Sequence, residues 1–86
     1  MNFRLSRHAE EEMARRSIPL SLVESVLEKP QQITAEQHGK KAYQSKVDFG
    51  GGRIFLLRAI VATDTEPPVV VTVYRTRKIS KYWRTS

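Results

Sequence analysis

The chain has no cysteine, only two histidines, and four each of glycine and proline in 86 residues. Without cysteine there is neither a disulfide nor a thiolate metal site. No apolar run approaches the roughly 18 to 20 residues that a membrane-spanning helix requires. The N-terminus, MNFRLSRHAEEEM, is charged and lacks the apolar stretch of a secretory signal. A cytoplasmic protein without membrane association is therefore expected. No Walker loop, dinucleotide fingerprint or His-Glu-x-x-His motif occurs. Gly50-Gly51-Gly52 lies between two strand-like segments and not ahead of a helix, so it reads as a turn and not as a phosphate cradle. With only His8 and His38 as imidazoles, neither a metal nor a cofactor is expected.

Acidic residues are missing from one region. Residues 1–30 carry five basic and five acidic side chains, and residues 31–70 carry five and four. Residues 71–86 carry Arg75, Arg77, Lys78, Lys81 and Arg84 with no acid, so nearly all of the +6 net charge sits there. Tyr74, Tyr82 and Trp83 are interleaved with these cations, offering phosphate contacts and stacking surfaces together. A localised basic segment fits an anionic partner: nucleic acid, an acidic protein or a membrane surface. It can equally be a solubilising tail, or pack Ile79 and Trp83 onto the fold with its cations solvated.

Apolar content of 40% and charged content of 28% are ordinary for a folded domain, and 86 residues allow one small core. Phe3 to Leu5 alternates as a short strand. From Ser6 to Arg16 the pattern turns helical, with Leu5, Ala9 and Met13 four apart. Glu11 and Arg15 have the spacing of an exposed pair. A second helix is predicted from about Leu20 to Glu28, with Ser21 and Glu24 at capping-box spacing and Pro30 as the stop. Beyond Pro30 the period becomes two: a short piece at Ile33, then strands over Lys41 to Val47, Arg53 to Ala62 and Val69 to Thr76. The expectation is a single α+β domain over residues 1–76: a short N-terminal strand and two helices packed on one face of an antiparallel meander, with a basic, aromatic tail over 77–86. The predicted core is Leu5, Met13, Val23, Val26, Leu27, Ile54, Leu56, Ile60, Val69, Val71 and Val73.

Two constellations stand out. His8, Glu12 and Arg16 climb the first helix four apart, near the edge of its apolar sector. They form either a structural ladder, with Glu12 paired to Arg16, or part of a site. Arg58 interrupts an otherwise apolar strand on the parity of Ile54, Leu56 and Ile60. If the first helix crosses the sheet, Glu12 is its expected partner. Thr72 and Tyr74 share a face of the last strand.

The segment RLSRHAEEEMARRSIPLSLVESVLEKP, together with VTVYRTRKISKYW, resembles the small bacterial proteins called domain of unknown function 4258. His8-Ala9, Met13, Arg16, Ile18, Pro30, Gly39, Arg58, Thr72 and Tyr74 match that family's pattern. Glu12 departs from a common basic residue and Ser17 from a common glycine. The family is similar in layout to RelE/ParE-like and BrnT-like toxins, which implies a RelE-like fold, RNA as partner and an acidic antitoxin-like protein as a second. If the chain is an enzyme, the resemblance implies a metal-independent endoribonuclease. His8 would then act as acid or base, Arg16, Arg58 and Arg75 would supply cations, and Tyr74 would donate a proton or stack on a base. The alternative is a non-catalytic binding module whose basic C-terminal segment, Arg75, Arg77, Lys78, Lys81, Tyr82, Trp83 and Arg84, docks on nucleic acid or an acidic protein.

Overall fold

Ser6 opens the first helix because its hydroxyl accepts from the Ala9 amide at 3.0 Å, satisfying one of the free N–H groups of the first turn. The same hydroxyl donates to the Val71 carbonyl at 3.0 Å, tying the cap to the last strand. In the computed structural model, which describes residues 2–85, α1 spans Arg7–Arg15 and buries Ala9 and Met13. It ends with Ser17 at φ 53, where the Ser17 amide donates to the Ala14 carbonyl and the Ile18 amide to that of Met13. This is a Schellman ending, and its apolar contact is present because Met13 and Ile18 are both buried in the core. The position therefore favours glycine, which serine replaces here at a conformational cost.

Helix α2 (Leu20–Glu28) begins at Pro19, not at a Ser21–Glu24 capping box. Pro19 has the extended backbone of a cap, and its carbonyl accepts from Leu22 and Val23. Pro30 ends the helix as expected, with Lys29 already outside helical geometry.

Five strands follow the alternating segments: β1 Arg4–Leu5, β2 Gln32–Ala35, β3 Lys41–Asp48, β4 Ile54–Ala62 and β5 Val69–Thr76. Their order in the sheet is β1-β5-β4-β3-β2. The last four strands in sequence form the expected antiparallel meander, but β1 pairs parallel to β5, so the sheet is mixed. A short third helix, α3 (Ile79–Tyr82), completes this α+β domain. Among the described residues, no helix is long and apolar enough to cross a membrane.

The helices α1 and α2 pack on the face that carries Leu57, Ala59 and Val61 of β4, and not on the face of the predicted core residues Ile54, Leu56 and Ile60. Leu56 and Ile60 are buried on the other face, while Ile54 is 45% exposed at the strand end. In β5, Val70 pairs with Val61 and Thr72 with Ile60, leaving Val71 as the extra residue of a β-bulge. The bulge lets Val70 and Val73, three apart, both reach the core, whereas Val69 and Val71 are only partly buried. Leu5 likewise packs at the rim of the core and not inside it.

Candidate functional site

Arg58 lies at the centre of β4 on the face away from α1 and α2, and its side chain is only 2% exposed. Burial of a guanidinium in a sheet demands partners, and Arg58 has them on three sides. Its Nε donates to Gln44 Oε1 at 2.7 Å, one terminal nitrogen to the Tyr74 hydroxyl, and the other to Glu36 Oε2 at 3.0 Å. The Tyr82 ring lies over it, 4.3 Å from the guanidinium carbon. Glu36, not Glu12, is therefore the countercharge, because Glu12 belongs to the helical side of the sheet. Burial raises the Tyr74 phenol above its ordinary pKa, partly opposed by the Arg58 charge, so it stays protonated at neutral pH.

From Arg58 a chain of hydrogen bonds reaches the C-terminal segment. The Gln44 amide donates to Gln32 Oε1 at 2.9 Å and to the Tyr82 carbonyl at 3.2 Å. Gln32 in turn donates to the Arg84 carbonyl at 2.6 Å and accepts from the Arg84 amide at 3.0 Å. The residues expected to form a tail thus lie across the second face of the sheet, held by side chains from β2 and β3. Residue 86 lies outside the described residues.

On the helical side, Glu12 accepts from Arg15 at 2.7 Å and Arg16 at 2.9 Å. Hydrogen bonds from Arg15, then Arg16, hold its carboxyl at about 2, well below the ordinary 4.5. Arg15 pairs with Glu12 instead of Glu11, and Glu11 approaches Arg7 at 3.6 Å. His8 is exposed on the first turn of α1. The sheet brings Arg58 and Tyr74 together and separates them from His8 and Arg16. These four residues do not converge on one point. Among the described residues, no three carboxylate or imidazole side chains gather as a metal-binding group.

A different cluster forms at the end of the sheet around the β3–β4 turn. Arg75 lies over the rings of Phe49 and Phe55, 4.4 and 4.8 Å from their centroids, and Arg77 lies over Phe55 at 5.1 Å. The two rings meet edge to face at 5.3 Å. Lys46 stands 4.1 Å from the Trp83 ring centre on the other face. Register places Lys46 in the row of Leu56 and Thr76, so Arg77 and Lys78 follow at the same end. Arg53 is fixed there by the Gly50 and Phe49 carbonyls. The local acid, Asp48, accepts from the Gly50 amide at 2.7 Å. Lys81, 5.3 Å from the Tyr82 ring, and Arg84 lie further along the arm. Sequence reasoning missed Lys46, Arg53, Phe49 and Phe55, whose only signal was their position beside the triglycine turn. It also missed Glu36, Gln32 and Gln44. The one signal for Gln44 was a polar side chain inside a predicted strand.

No curated protein and no solved structure matches the chain. A family model matches residues 5–75, which takes in α1, α2 and the Arg58–Tyr74 pair but stops short of α3. The chain belongs to the family described as domain of unknown function 4258.

Proposed function

We propose that the domain binds single-stranded RNA through the cationic, aromatic end of its sheet and does not cleave it with His8 and Arg58. The observation that carries this reading is the pair of guanidinium groups, Arg75 and Arg77, seated on Phe49 and Phe55. A guanidinium held on a ring is oriented before binding, so less freedom is lost when it meets a base or phosphate. Unstacked RNA bases lie well on such planes, while Arg53 and Lys78 reach the backbone phosphates. Cleavage without a metal requires acid, base and cation around one phosphate. His8 and Arg16 stand on the helical side and Arg58 is already bound to Glu36, so that set does not surround a phosphate. Any toxin-like role would then rest on binding RNA or on an acidic partner.

The test is titration of a labelled, unstructured RNA oligonucleotide in EDTA over about 50 to 300 mM salt. Three to four phosphate contacts give a slope of log K against log salt of about −2 to −3, from roughly 0.7 per contact. The double variant Arg77→Gln, Lys78→Gln should lower the steepness by about 1.4. A salt-insensitive affinity, or an unchanged slope in the variant, would rule this surface out. RNA cleavage that disappears with His8→Ala would reinstate the nuclease.

A further inference from the structure

Strand β2 is the open edge of the sheet, with β3 on one side and no strand on the other among the described residues. Its register pairs Thr34 with Ala42, and the next pair of the same phase is closed by the Glu36 amide on the Lys40 carbonyl at 2.9 Å. Antiparallel ladders alternate, so the amides and carbonyls of Ile33 and Ala35 point outward, away from β3. Edge strands are commonly protected by charge, proline or a bulge along their length. The sequence Gln32-Ile33-Thr34-Ala35 has none of these, and Ile33 is 50% exposed. Beside it runs a groove of about 430 Å³ lined by these four residues and Arg84.

We propose that this edge receives an extended, acidic segment of a partner protein, which adds a sixth strand beside β2. The main chain of Ile33 and Ala35 supplies the pairing and Ile33 an apolar contact for alternate side chains. The charge around the edge selects the occupant. Arg84 lines the groove, Lys41 stands opposite Ala35 in the register, and Lys29 precedes the strand. Glu36, at the end of the strand, is already committed to Arg58. A second copy of the chain would bring another +6 and the same cations against these, which disfavours self-pairing. This surface is separate from the RNA-binding end of the sheet and does not depend on that reading.

The probe is a capped peptide that alternates Glu with Val or Thr, added to the full-length protein. Amide hydrogen exchange resolved by NMR is the readout. At a peptide concentration about nine times Kd, exchange at Ile33 and Ala35 should slow by about tenfold. The inward-bonded Thr34 amide should change less. The same peptide N-methylated at alternate amides keeps its charge but cannot complete the ladder, so it should lose binding. Arg84→Glu should weaken the unmodified peptide by about two- to fivefold, the range of an exposed ion pair. Four results would overturn the proposal. One is no protection at saturating peptide, and a second is equal binding by the N-methylated form. A third is edge protection by RNA in place of the peptide. The last is an edge already protected in the free protein, with sedimentation as a dimer.

Discussion

Arg58 donates to three side chains from an almost inaccessible position, so each partner contributes differently to stability. Glu36→Ala removes the countercharge and strands a buried cation. Because 32% of the Glu36 side chain meets solvent, water can replace part of it. The expected loss is about 2 to 3 kcal/mol, below the roughly 3 to 5 of a fully buried pair. Denaturant unfolding measures it, and a loss under about 0.5 kcal/mol would mean that Arg58 is solvated. Glu12 obeys the opposite logic, since its partners Arg15 and Arg16 lie at the surface. Its folded carboxyl titrates at about 2 against an ordinary 4.5. A depressed carboxylate stabilises the fold above its unfolded value, and the benefit is lost as pH falls from about 4.5 through about 2. An NMR titration of the Glu12 carboxyl should show that low midpoint. Arg15→Ala should raise it more than Arg16→Ala, as the Arg15 hydrogen bond is the larger cause.

Helix and strand ends carry their own tests. Ser17 occupies the left-handed position of the Schellman ending that closes α1. Ser17→Gly should raise stability by about 1 kcal/mol, which for a domain of this size is a melting shift of about 4 to 8 °C. A variant that melts at or below the native temperature would deny strain at that position. Within β4, the parity seen in the sheet predicts unequal truncations. Leu57→Ala opens a cavity under α1 and α2 and should cost about 2 to 5 kcal/mol. Ile54→Ala, at a strand end that is 45% exposed, should cost under about 1 kcal/mol.

Both faces of the sheet are covered, one by α1 and α2 and the other by the C-terminal arm. That arm has a structural part, since Tyr82 roofs Arg58 and its carbonyl receives the Gln44 amide. Deleting residues 79–86 should therefore destabilise the protein by at least about 2 kcal/mol, from a stranded buried donor and a lost cation–π contact. Thermal unfolding would report a fall of about 8 to 16 °C. Removing the charges at Arg77 and Lys78 alone should leave the melting temperature nearly unchanged and reduce only the proposed affinity for RNA. A deletion without thermal consequence would show the arm to be a solvated tail.

Local patterning determined a good deal of this protein from sequence alone. The order of elements from β1 to β5, the end of α2, the triglycine turn and the pairing distance of Glu12 and Arg16 follow from short-range rules at Pro30, Gly50 to Gly52 and the four-residue helical step. The acid-free stretch from Val71 onward, with its five cations, marked the charged region, and the matching residues His8-Ala9 through Tyr74 marked the family. Tertiary structure decided the rest, for identifiable reasons. β4 is buried on both faces, which erases the alternation that would have told Leu57 from Leu56. The bulge at Val71 moves Val70 and Val73 onto one face, against the two-residue period. Glu36, at the end of β2, reaches Arg58 of β4 across β3 from 22 residues away in the chain, a contact that no spacing encodes. Whether the last residues dangle or dock depended on Gln32 and Gln44 presenting amides to Tyr82 and Arg84. Such pairing is set only once the sheet has brought distant strands side by side.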